Sequence, residues 1–126
     1  MCLNRVLSNR QDPRMAGYGY KLVGKLAEGG YCGQYDYRWT RSLGRRADYP
    51  WPSGQWLSAR YEAGALRVPS KGRYRPGFHV WLNKPVYGWR TGLALVFVEW
   101  KGLLAVGVHG GVPTIVAERI RISEEL

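Results

Sequence analysis

The clearest patterning in the chain is a set of short runs in which apolar and polar positions alternate. Leu93 to Trp100 is apolar until Glu99, which predicts a central strand. Thr114 to Ile122 predicts the last strand, with Ile115, Ala117, Arg119 and Arg121 alternating with Val116, Glu118, Ile120 and Ile122. Its apolar face is interrupted at Glu118. A third strand follows Pro76-Gly77, where proline and glycine shape a tight approach. There Phe78, Val80 and Leu82 form the expected core face, and His79 and Trp81 fall on the opposite one. Tyr20 to Leu26 and Tyr31 to about Trp39 predict two more strands joined across Gly29-Gly30. Gln55 to Tyr61 suits a short strand or a single helical turn, and Leu103 to Val108 continues the sheet after a turn or bulge at Lys101-Gly102. Asn83-Lys84-Pro85 has the form of a helix start, with Asn83 as cap, and Gly88 and Gly92 limit the helix to a short one.

These elements predict an α+β fold: one mostly antiparallel sheet of about five to seven strands with one or two short helices. Residues 1–16 mix polar residues with few apolar ones and read as a flexible or loosely docked arm, leaving residues 17–126 as a single domain. The 126-residue length and 45% hydrophobic content fit one domain with its own core. Seventeen glycines and seven prolines suit many turns between strands and argue against a helical bundle.

Charge changes the picture. The net charge is +10, from 19 basic and 9 acidic residues, which favours anionic partners. Between Arg38 and Arg75 nine basic residues, eight of them Arg, face only Asp48 and Glu62, leaving +7 of that total. The aromatic set is skewed to six Trp and nine Tyr against two Phe, and several of these rings are interleaved with the arginines. Arginine forks pair with phosphate, and flat rings stack on bases. The expected ligand surface therefore takes Arg41, Arg45, Arg46, Arg73 and Arg75 for phosphate and Trp39, Trp51 and Trp56 for stacking, beside the His79 and Trp81 face. The competing reading of the same residues is a solvated basic surface whose rings turn inward.

Other chemistry has less support. Gly19 to Lys25 has the spacing of a phosphate-binding loop, but Leu26 replaces the required Ser or Thr and the segment reads as a strand. Cys2, Cys32, His79 and His109 lack any local pair spacing for zinc. Carboxylates are too scattered for glycosidase or two-metal chemistry. His79 could in principle move a proton, yet no partner stands at a telling spacing, and a hydrogen-bonded structural histidine is the simpler reading. No catalytic residue, metal or cofactor is assigned. Residues 1–15 contain no apolar signal region, and the longest apolar run, Leu93 to Val98, falls far short of the ~20 residues of a membrane span. Two unpaired cysteine positions fit reduced thiols in a soluble cytoplasmic protein.

The order of features also carries a resemblance. Met1-Cys2-Leu3, Tyr18-Gly19-Tyr20-Lys21, Gly54-Gln55-Trp56-Leu57-Ser58-Ala59, Tyr74-x-x-Gly77-Phe78-His79, Glu99-Trp100 and Ile115-Val116-Ala117-Glu118-Arg119-Ile120 follow one another along the chain. Over roughly residues 18–122 this resembles small bacteriophage and prophage proteins described as domains of unknown function, with a Gly-Phe-His strand motif. In many of those sequences a helix with alanines follows that strand, whereas residues 83–90 here include Pro85 and Gly88. The resemblance implies a phage-type accessory protein acting in the host cytoplasm, with countering of host defence as one such role. It supplies no site residues. Charge and aromatics together give the expected function: holding a phosphate-bearing ligand, nucleic acid or a nucleotide signal. The alternative is a protein–protein inhibitor that docks an acidic host protein through the same arginines and tryptophans.

Overall fold

The computed structural model describes residues 3–26, 30–33, 51, 54–59, 74, 77–85 and 93–126. Within them the elements are seven strands: β1 (Arg5–Ser8), β2 (Asp12–Lys25), β3 (Tyr31–Cys32), β4 (Leu57–Ser58), β5 (Phe78–Trp81), β6 (Leu93–His109) and β7 (Val112–Glu125). All pairings are antiparallel and all belong to one sheet. The helix expected from Asn83 lies outside the described residues beyond Pro85, as does the second half of the strand expected to run to Trp39. No helix among the described residues is long and apolar enough to cross a membrane.

The frame is the hairpin of β6 and β7, joined at Gly110-Gly111, both of which have positive φ (59° and 78°). That conformation is free of penalty only in glycine, so this dipeptide sets the turn. On its other edge β6 takes β2, from Gly24 opposite Leu93 to Ala16 opposite Lys101, and then β1, with Arg5 opposite Val108. β7 takes β5, with Phe78 opposite Ala117 and Trp81 opposite Thr114. Tyr20 opposite Trp81 then joins β5 to β2. The circuit β6–β2–β5–β7–β6 is thus closed, which removes free edges from its four strands.

Closure explains the core. Phe78 and Val80 from β5, Val23 from β2, Val96 and Val98 from β6, and Ile120 and Ile122 from β7 share one buried cluster inside the ring. The β2–β5 seam is narrow, and a Cβ on Gly19 would lie 2.5 Å from the Trp81 carbonyl oxygen, so only glycine fits there. Two differences from the sequence reading follow. His79 and Trp81 are buried although they face away from that cluster, because both sides of β5 are covered. Leu82, expected in the core, is exposed: the strand ends at Trp81, and the Leu82 amide bonds the Pro113 carbonyl at 2.9 Å.

The interruption at Glu118 also resolves. Trp100 and Leu103 on β6 both face the main cluster although they are three residues apart, and so do Ala117 and Ile120 on β7. Between them Gly102 has φ 78° and packs under Glu118, where an added Cβ would meet the Glu118 Cβ at 2.9 Å. The alternation shifts phase in both strands at one kink, so β7 has an apolar face throughout. The segment expected to be an arm contributes β1 and the first part of β2, with the Leu3 amide bonded to the Tyr74 hydroxyl at 3.1 Å and the Asn4 amide to the Val108 carbonyl at 2.8 Å.

Candidate functional site

Of the ten residues expected to contact ligand, Trp51, Trp56, His79 and Trp81 are among the described residues, and Trp39, Arg41, Arg45, Arg46, Arg73 and Arg75 lie outside them. Trp51 is a core residue, 3% exposed, set edge-on to Phe78 with ring centres 5.6 Å apart. Its backbone amide bonds the Tyr31 carbonyl at 2.6 Å, which ties the segment to β3. Trp81 packs with Leu22 and Leu95 on the outside of the ring, its indole tilted over His109. Both indoles occupy packing positions rather than solvent-facing ones, because the closed ring and its covering clusters use their surface.

His79 is 2% exposed. Its Nε2 lies 2.9 Å from the Tyr74 hydroxyl, whose oxygen already accepts the Leu3 amide, leaving the hydroxyl proton for the ring. Burial, reinforced by the nearby Lys21 ammonium, pushes the imidazole down to about 3. At neutral pH His79 is therefore uncharged and out of reach of a phosphate. Lys21 is buried too, on the inward row of β2, and donates to the His79 carbonyl at 2.8 Å. Desolvation lowers its ammonium to about 8.

Trp56 is placed differently. It is half-buried, with the Lys101 ammonium 4.0 Å and the Arg121 guanidinium 4.7 Å from the ring centre. Both distances are within cation–π range. Lys101 and Arg121 stand on the outer face of β6 and β7, and the register explains why they share it. Glu99 lies opposite Arg121 and Lys101 opposite Arg119, while on the other edge of β6 Tyr18 lies opposite Glu99 and Tyr20 opposite Phe97. The period of two puts Tyr18, Tyr20, Phe97, Glu99, Lys101, Arg119 and Arg121 on one side of three adjacent strands.

This outer strip has two halves. On the β2 side Tyr18 lies parallel to Phe97, with ring centres 5.6 Å apart and planes 1° apart, and Tyr20 meets Phe97 edge-on at 5.5 Å. Tyr18 is 60% exposed, so a ring held from behind by Phe97 presents its surface to solvent. The Tyr18 carbonyl accepts the Trp100 indole N–H at 3.3 Å, which fixes the backbone beneath the ring. On the β7 side stand Lys101, Arg119 and Arg121, with Glu99 as counter-charge: one nitrogen of Arg121, Nη2, donates to both Glu99 carboxylate oxygens at 2.8 Å. Chemically the strip offers a flat apolar platform beside the exposed Arg119 and the partly exposed Lys101 and Arg121.

Sequence reasoning passed over Tyr18, Tyr20, Phe97 and Lys101 because it weighted the density of arginine in residues 38–75. The available signal was parity: tyrosines two apart in one strand, and the Phe-x-Glu-x-Lys and Arg-x-Arg spacings in two others. No protein-family model matches this chain, and no solved structure matches it.

Proposed function

We propose that this protein binds a phosphate-bearing ligand, single-stranded nucleic acid foremost, on the outer strip formed by β2, β6 and β7. The observation that carries the reading is the exposed Tyr18 ring, backed by Phe97, on the same face as Lys101, Arg119 and Arg121. A base stacks on the ring and the backbone runs toward the cations. Tyr18 and Arg121 stand on strands separated by β6, hence about 10 Å apart across the sheet, which suits an extended strand better than one mononucleotide. The concentration of arginine in residues 38–75 and the net charge of +10 add a long-range attraction for polyanions. The resemblance to phage proteins supports an accessory role in a host cell, with host defence as the process acted upon.

Fluorescence anisotropy with labelled oligothymidylate, over a series of salt concentrations, tests the reading. Affinity should fall linearly on logarithmic axes, with a slope of about 0.7 per phosphate neutralised. Lys101→Gln should make the slope shallower by about that amount. Binding indifferent to salt, or full affinity for a mononucleotide, would contradict the single-strand reading. Capture of one acidic protein after nuclease treatment, with no oligonucleotide binding, would replace it with the inhibitor reading.

A further inference from the structure

The pairing of Glu99 with Arg121 is incomplete in a way that bears on how the strip is used. Both 2.8 Å contacts come from Nη2, so the carboxylate takes one corner of the guanidinium instead of matching its two-pronged edge. Glu99 therefore leaves the Nη1 and Nε donors of Arg121 unused. The two side chains are 37% and 27% exposed, so an anion from solvent can approach the pair. The plane of Arg121 is also supported by Trp56, whose ring it shares with Lys101. Removal of the carboxylate would leave the guanidinium with that support.

We propose that Glu99 is a resident counter-anion, standing where a backbone phosphate of the bound strand comes to lie, and that binding exchanges Glu99 for phosphate at Arg121. The inference rests on the function proposed above and adds to it a built-in brake on affinity. Phosphate has the tetrahedral spread of oxygens to engage the guanidinium edge that Glu99 does not use, and it brings charge to the neighbouring Lys101 as well. A carboxylate on the central strand repels any phosphate backbone, and only a strand with a second anchor offsets that repulsion, so one that also stacks on Tyr18 is favoured over a structureless polyanion. Before binding, Glu99 lets two cations share one indole at reduced mutual repulsion.

The test is a double-mutant cycle on oligothymidylate binding, using wild type, Glu99→Gln, Arg121→Gln and the double variant, with thermal melts to confirm that all four fold. Releasing one partly exposed ion pair should tighten binding by Glu99→Gln about five-fold and steepen the salt slope by about 0.7. In the Arg121→Gln background the same change should do little, because there is no guanidinium to release. Wild-type binding that Glu99→Gln leaves unchanged or weakens would overturn the exchange while leaving the proposed function intact. An equal gain in both backgrounds would also overturn it, by showing a general charge effect. Absence of binding in wild type and Glu99→Gln alike would overturn both readings.

Discussion

Lys21 and Arg121 are two cations in the wall of one closed ring of strands, and the fold treats them in opposite ways. Lys21 points inward from β2, is buried, and donates to the backbone carbonyl of His79. Its charge is so poorly solvated that the ammonium is lowered to about 8. Arg121 points outward from β7, meets solvent, and has a carboxylate and an indole beside it. The inner cation serves the narrow β2–β5 seam, where Tyr20 opposite Trp81 is the one residue pairing among the described residues and Lys21 reaches the carbonyl of His79. The outer one keeps its charge available. Position relative to the ring, more than residue type, decides which basic group can meet a ligand. His79 teaches the same lesson, since burial beside Lys21 leaves it neutral.

The contrast can be broken most forcefully through His79. Its unfolded value is near 6.5 and its folded value about 3, so the unfolded chain takes up the proton first as pH falls. The stabilisation is complete above 6.5 and is lost on descending toward 3, amounting to roughly 5 kcal/mol over that window. Denaturant titrations of wild type and His79→Gln between pH 7 and 3 should differ in slope by this contribution. Parallel profiles would show that His79 is not sealed. The next largest effect belongs to Lys21, whose folded value is depressed from 10.5 to about 8. Between those values the unfolded chain holds the extra proton, so stability should rise with pH by about 3 kcal/mol, and Lys21→Met should abolish the rise.

Much of the sheet was legible from patterning. Leu93 to Trp100 and Thr114 to Ile122 are strands as expected, because an apolar run with little room for polar residues has few other places to go. Phe78 and Val80 are core as expected, from alternation alone. What local pattern could not convey is closure. Nothing within residues 78–82 says that the face holding His79 and Trp81 is covered, since its cover includes Tyr74 just upstream and Leu3, Leu22 and Leu95 from distant parts of the chain. The irregularity at Lys101-Gly102 was legible from its glycine, but its effect was not: one positive φ restores the broken face at Glu118 by shifting phase in two strands together. Within the segment expected to be an arm, β1 has weak alternation and exists through pairing with β6, which the local pattern does not convey. The outer strip was half-legible. Arg119 and Arg121 were seen to share a face, but their alignment with Lys101, Phe97 and Tyr18 depends on register, which only tertiary pairing sets.

Outer-face substitutions should show the reverse of the inner-face signature, with affinity altered and stability nearly untouched. The smallest of these effects is the Glu99→Gln gain. Tyr18→Ala should be the larger one, because it removes a stacking surface worth ~1–3 kcal/mol per base.

The central claim is that the exposed face of Tyr18 is a ligand platform and not merely a lid on Phe97. Oligothymidylate affinity and melting temperature of Tyr18→Ala, measured side by side with wild type, address it most directly. Affinity should fall at least five-fold, the ~1 kcal/mol lower bound for one lost stack, with a melting temperature within a few degrees of wild type. Undiminished affinity in a folded Tyr18→Ala variant would contradict the claim.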